Sequence, residues 1–221
     1  MVRQDSKWQV LELNKLISQL ISEQRYWITF IDNESIMAGL YLLPKGTPDQ
    51  QEPHQWDEVY YVLKGTAKME IDGSVYAVDE QSVIYIQAEA QHRFTEITED
   101  LLTYVVFSKA TPVVSDEKHF IFSNQEISSP ESAQGIVNRT FLDVPTISMN
   151  LESRFESEET KKQEFSKYPQ LMYIRKGNGE LEIDGNKIDV SGGNIIYIKQ
   201  GVGFRINNIV SKLDILSFFA K

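Results

Sequence analysis

The chain has 221 residues, 41% hydrophobic and 24% charged, the composition of a globular protein with room for one large domain or two of about 100 residues each. A formal charge of −10 and a pI near 4.9 exclude a basic footprint for nucleic acid or for an anionic membrane. The absence of cysteine excludes disulfides, thiolate metal sites and cysteine nucleophiles, so any metal must be held by imidazole, carboxylate or neutral oxygen.

No basic-then-apolar leader opens the chain and no apolar run approaches a membrane span, so a cytoplasmic location is expected. Residues 6–24 are predicted to be a helix. Ser6 and Gln9 fit a capping box, and Val10, Leu13, Ile17, Leu20 and Ile21 recur at helical spacing. Residues 26–31 and 36–43 are strand-like, and Pro44-Lys45-Gly46 ends the second run. Six short β runs follow, at 58–63, 67–71, 75–78, 83–86, 92–97 and 101–107, with a hairpin signal at Asp72-Gly73. Many short strands without helical patterns between them indicate an all-β sandwich or barrel. Residues 108–132 turn polar, with Pro112, Ser115, Asp116, Ser128, Ser129 and Pro130, while 119–122 are apolar enough to dock or form a short strand. The expected plan is an N-terminal domain over 1–112, a linker over 113–130 and a C-terminal domain over 131–221.

The second half repeats the first. An offset of 112 residues lays VLKGTAKMEIDG (62–73) over IRKGNGELEIDG (174–185) and Val83-Ile84-Tyr85-Ile86 over Ile195-Ile196-Tyr197-Ile198, without a gap. Arg93 falls on Arg205 and Ile97 on Ile209. A constant offset through several strands and turns means a duplicated domain.

The first copy carries the chemistry. Residues an even number apart on an extended segment face one side, so His54 and Glu58 can both point into a barrel, and His92 opens a later strand. Two imidazoles and one carboxylate meeting there would leave open positions on a divalent metal. The repeat supplies a control, because these three positions become Ser166, Gln170 and Phe204 while the turn glycines Gly65 and Gly73 persist as Gly177 and Gly185. Joint loss separates the three from folding. Glu52 shares the parity of His54 and is a candidate fourth ligand, although Glu164 holds the same place in the copy without ligands. Trp56, Tyr60, Phe94 and Tyr104 are candidate pocket walls, and Arg93 should face outward by parity.

These residues resemble the cupins, and the duplication resembles a bicupin. Gly46 fits the opening glycine of the first cupin motif, His54 its second histidine, Glu58 its glutamate and Gly65 its closing glycine. The first histidine position is Glu52. The second motif is matched at His92 alone, with Gln87, Glu89 and Glu96 at its proline, second glycine and asparagine. In the second copy Gly193, Gly201 and Asn208 fit that motif, but its histidine is Phe204. The resemblance implies two double-stranded β-helix barrels of jelly-roll type, with residues 1–25 outside them, and Fe, Mn, Zn, Ni or Cu in the first. It also implies a range of functions: dioxygenases, sugar-phosphate isomerases and epimerases, decarboxylases, and proteins that only bind. The favoured expectation is a metal-dependent enzyme, of dioxygenase type, on a small oxygen-bearing organic molecule. The alternative is a non-catalytic module that binds a small molecule or metal. The second barrel is expected to have a plugged or apolar interior, and the apolar segment Leu213-Asp214-Ile215-Leu216 is compatible with a homodimer.

Overall fold

The computed structural model describes residues 6–114, 118–130, 133–156 and 162–221. In chain order it opens with β1 (Trp8–Glu12), α1 (Leu13–Ser22), β2 (Trp27–Asp32) and β3 (Ile36–Leu43). Next come β4 (Glu58–Lys64), β5 (Ala67–Ile71), β6 (Ser74–Val78), β7 (Val83–Ile86), β8 (His92–Thr95), β9 (Leu101–Ser108) and β10 (His119–Phe122). The second half has β11 (Ile136–Asp143), β12 (Ile147–Arg154), β13 (Glu164–Phe165), β14 (Gln170–Ile183), β15 (Asn186–Ser191), β16 (Asn194–Ile198) and β17 (Gly203–Ala220). Two compact units divide the chain: residues 16–128, and residues 6–15 together with 129–221. Each is a β-barrel of the jelly-roll kind.

In the first barrel a six-stranded sheet, β10-β7-β4-β9-β3-β2, stands with a three-stranded sheet, β6-β5-β8. Alternation along the strands packs Tyr60, Val62, Met69, Ile71, Ile84, Ile86, Phe94 and Val105 into one interior cluster. The second barrel is a single eight-stranded sheet because its long strands stay continuous. There β14 spans the stretch that β4 and β5 cover in the first barrel, with register shifts between Ile174 and Lys176 and between Lys176 and Asn178.

The duplication is visible in backbone and side chains. Gly65 and Gly177 both have positive φ, +97° and +90°, and a Cβ on either would strike a backbone carbonyl, Asp100 or Lys212. These carbonyls are themselves equivalent under the offset. The Arg93–Glu70 pair returns as Arg205–Glu182, at 2.8 Å in each barrel, and Arg93 faces outward as its parity requires. Asp72-Gly73 and Asp184-Gly185 both place two positive-φ residues in a hairpin turn, as the Asp-Gly signal predicts.

Two expectations are corrected. Residues 8–12, expected within a helix over 6–24, form β1 and pair with β16, and the helix begins at Leu13. Trp8 and Val10 pack against the second barrel's core, so tertiary burial outweighs the helical periodicity of that stretch. Within the stretch expected as a linker, residues 119–122 form β10, the short strand that was one of the two forms expected of them, and it adds to the first barrel's sheet beside β7; Ser115 and Asp116 lie outside the described residues. Leu213, Asp214, Ile215 and Leu216 are buried within this one chain and offer no surface to a second copy. Among the described residues no helix is long and apolar enough to cross a membrane.

Candidate metal centre

Glu58 is the first residue of β4, a central strand, and stands between Ile86 of β7 and Phe107 of β9. Its side chain therefore enters the barrel from a fixed position. His92 is the first residue of β8, opposite Ile71 of β5. His54 lies on the segment leading into β4, outside any strand, and is held there by its carbonyl, which accepts the Glu89 N–H at 2.8 Å. The Asp57 carboxylate fixes the same segment by accepting the Ala88 N–H at 2.8 Å.

The three side chains converge, with one ligand atom from each lying within 4.8 Å of the others. Glu58 Oε1 is 3.0 Å from His54 Nδ1 and 2.9 Å from His92 Nε2. The Glu58 and His92 side chains are almost fully buried, while that of His54 is 32% exposed. His92 Nδ1 donates to the Ala90 carbonyl at 2.9 Å, which fixes the ring and turns Nε2 inward. Burial pulls the Glu58 carboxyl upward, but the two imidazoles outweigh it and hold the group below its ordinary range. Burial pulls His92 down, and Glu58 outweighs that too, so the imidazole is held above its ordinary value.

These residues fit a divalent metal. Glu58 Oε2 is buried and makes no hydrogen bond, an arrangement that ordinarily costs about 1–3 kcal/mol or more. Two imidazoles with one carboxylate form the donor set that suits a transition ion and leaves coordination positions open. Glu52 is exposed, beside Asp49, Glu70, Asp72 and Arg93 in a polar surface recess, and the structure does not bring it into the group of three.

Beside His54 is a cavity of about 270 Å³, walled by Trp27, Met37, Tyr41, Val105 and Phe107, with Gln51 and Tyr60 as its other polar residues. Trp27 reaches the wall because Gly39 across the β2–β3 pair has no side chain, and a Cβ there would strike the indole. Among the sequence-predicted wall residues, only Tyr60 lines the cavity. Phe94 packs edge-on against Tyr60, and Tyr104 stacks on Phe30. Trp56 is half-buried, with Lys109 Nζ 5.2 Å above its ring. Sequence reading missed Trp27, Tyr41, Gln51 and Phe107. Strand parity carried the signal for Phe107, which faces Glu58 across β4 and β9. Nothing local marked Gln51, which lies on an irregular loop.

The second barrel keeps the framework and replaces the donors. Ser166 Oγ donates to the Tyr168 carbonyl, Gln170 is buried, and Phe204 belongs to the interior cluster. Its interior is not wholly apolar. Arg154 is almost fully buried on the strand face that it shares with Leu213, gripped by Glu164 through both terminal nitrogens and by Glu152 through Nε. Burial pulls the guanidinium down, and the two carboxylates outweigh it.

The family profile described as Cupin domain matches residues 39–107, the span that holds the three converging side chains. An uncharacterized protein of Streptomyces coelicolor, SCO3923, is 36% identical over 96 residues, which are 43% of this chain and 91% of that protein. Among solved structures, a Cupin 2 conserved barrel domain protein from Leptotrichia buccalis superposes with a TM-score of 0.75 at 15% identity, over 100% of both chains. A salicylate 1,2-dioxygenase from Pseudaminobacter salicylatoxidans superposes with a TM-score of 0.74 at 9% identity, over 100% of this chain and 86% of the other.

Proposed function

The chain belongs to the cupin family, and on that premise we propose that it is a metal-dependent enzyme of dioxygenase type acting on a small oxygen-bearing organic molecule. The observation that carries this reading is the convergence of His54, Glu58 and His92 at the edge of an aromatic-walled cavity. His54, Glu58 and His92 would hold a divalent transition ion, Fe, Mn, Ni or Zn. When bound, the ion would supply Lewis-acid activation of substrate oxygens or a site for O2 chemistry.

The cavity itself argues for metal-centred chemistry over acid–base chemistry. Among the described residues that line it there is no lysine, arginine, aspartate or glutamate. Burial pushes the Tyr41 and Tyr60 hydroxyls well above the ordinary phenol range, with the Asp49 and Glu58 carboxylates adding to the rise, so both stay protonated. An isomerase or epimerase needs a proton carrier there, and the one imidazole among the described lining residues, His54, is turned to Glu58 in the converging group. Trp27, Met37 and Phe107 would exclude water and orient a planar molecule beside His54. The likeness to a salicylate 1,2-dioxygenase supports the same choice at the level of fold alone.

The absence of lysine and carboxylate side chains among the described lining residues also favours the second reading, a barrel that captures a small molecule without turnover. One experiment separates the two. The protein is stripped of metal, reconstituted separately with Fe, Mn, Ni and Zn, assayed for bound metal, and then followed for oxygen uptake with phenolic and diketone compounds. One bound equivalent with oxygen uptake supports the enzyme. Stoichiometric metal without turnover of any compound supports the binding module, and no bound metal with any of the four ions overturns both.

A further inference from the structure

One buried carboxylate of the first barrel has no part in the metal site. Asp49 lies on the segment between β3 and β4 and accepts four hydrogen bonds. Oδ1 accepts the Tyr41 hydroxyl at 2.6 Å and the Gln51 N–H at 3.3 Å. Oδ2 accepts the Phe94 N–H at 2.8 Å and Gln51 Nε2 at 2.9 Å. An ionised carboxylate only accepts, so every one of these hydrogens points at Asp49.

The polarity propagates. With Gln51 Nε2 committed to Asp49, the end of the amide that meets Tyr60 is Oε1, and the Tyr60 hydroxyl donates to it at 2.9 Å. A phenol has one hydrogen. Tyr41 and Tyr60 therefore each have their single hydrogen engaged, by Asp49 and by Gln51, and toward a molecule in the cavity that they line each oxygen can only accept; the Tyr60 oxygen also lies 3.2 Å from His92 Nε2. Around them the wall is Trp27, Met37, Val105 and Phe107, with His54 already facing Glu58 and no lysine or arginine among the described lining residues.

We propose that Asp49 is a positioning residue that fixes Tyr41 and Tyr60 as hydrogen-bond acceptors, and that the cavity consequently selects an uncharged, ring-sized molecule bearing a hydroxyl donor. This names the substrate class for the reaction proposed above, but it rests on the cavity and its hydrogen bonds and not on the metal. A carboxylate ligand would bring more lone pairs to two acceptors with no lysine or arginine to receive it, and the His54 imidazole is already engaged by Glu58. An ether or ketone of the same shape would leave the acceptors without a donor from the ligand, a loss that polar sites punish strongly.

The test uses metal-free protein and isothermal titration calorimetry with phenol, anisole and benzoate, three rings that differ in donor and charge. Phenol should bind at least about tenfold more tightly than anisole, and benzoate more weakly than either. In Asp49→Asn the new amide N–H meets the Tyr41 oxygen, and the Tyr41 hydrogen is released toward the cavity. The phenol-to-anisole ratio should then fall at least about fivefold. Tyr41→Phe leaves the other three bonds to Asp49 in place and should lower the same ratio. It decides the matter alone if circular dichroism finds Asp49→Asn unfolded. Equal binding of phenol and anisole, tightest binding of benzoate, no binding of phenol, or an unchanged ratio in the folded variants overturns the proposal. Because no metal is present, such a failure leaves the metal assignment standing, and a chain that takes up no metal can still show the preference.

Discussion

His92 Nε2 stands 2.9 Å from Glu58 Oε1 while the other ring nitrogen of His92 is committed to the Ala90 carbonyl. A carboxylate accepts and does not donate, so a short contact at Nε2 requires a proton on that nitrogen when no metal is present. The pair is an ion pair built from two prospective ligands. A divalent cation held by these residues would take the place of that proton.

Glu58 is therefore the residue whose loss should cost most. In Glu58→Gln the neutral amide keeps the shape and removes the charge that holds both imidazoles. Metal affinity should fall more than about a hundredfold, beyond the range seen when only an outer partner of a ligand is changed. His54→Ala and His92→Ala should also lose stoichiometric metal. Competition against a chromophoric chelator measures all three, and a Glu58→Gln protein with unaltered affinity would remove Glu58 from the ligand set.

The same pair sets the pH dependence. The His92 imidazole is raised, so its contribution to the stability of the metal-free protein is present at low pH and is lost as pH rises through the folded value. The Glu58 carboxyl is lowered, so its contribution is present above the ordinary carboxylate range and is lost as pH falls through the folded value. The pair stabilises the metal-free barrel between those limits. Metal binding must release the His92 proton, so apparent affinity should rise through the ordinary imidazole value near about 6.5 and continue beyond it. Chelator competition between about pH 6 and about pH 8 checks this, and a flat profile would contradict it.

Glu52→Ala should leave metal stoichiometry and affinity unaltered. Glu52 is exposed and lies outside the converging group, and its equivalent in the second barrel, Glu164, serves an arginine. A measurable fall in affinity would return Glu52 to the ligand set.

Much of this was legible because duplication and parity are read along the chain. The 112-residue offset marked the turns at Gly65 and Gly177, and even spacing brought His54 and Glu58 to one side. Parity also put Arg93 on the outside. What was not legible depends on segments meeting across space. Tyr41 lines the cavity because β3 pairs with β9, and Gln51 turns inward because Asp49 holds its amide. The period of β1 resembles that of a helix, and only its partner β16 makes it a strand. Arg154 gave no signal, since a lone arginine at a strand end ordinarily faces water.

Arg154 provides the test of what the second barrel is for. Its guanidinium is buried, with Glu164 on its terminal nitrogens, while Glu164 is about one-third exposed and Glu152 is mostly covered. Removing the cation leaves two carboxylates facing each other in a poorly hydrated place. Such a loss costs about 3–5 kcal/mol for a fully buried pair, and the partial exposure of Glu164 puts the expectation near the lower figure. Arg154→Ala should therefore lower the stability of the second barrel by about 3 kcal/mol in urea unfolding while metal stoichiometry in the first barrel stays unchanged. Replacing all three groups together, Arg154→Met with Glu152→Gln and Glu164→Gln, should recover much of that loss, because no charge is then left buried. Recovery would identify the triad as a structural substitute for the missing donors. If the single variant were as stable as the parent, the arginine would have no such role, and a fall in metal stoichiometry would mean that it is not confined to the second barrel.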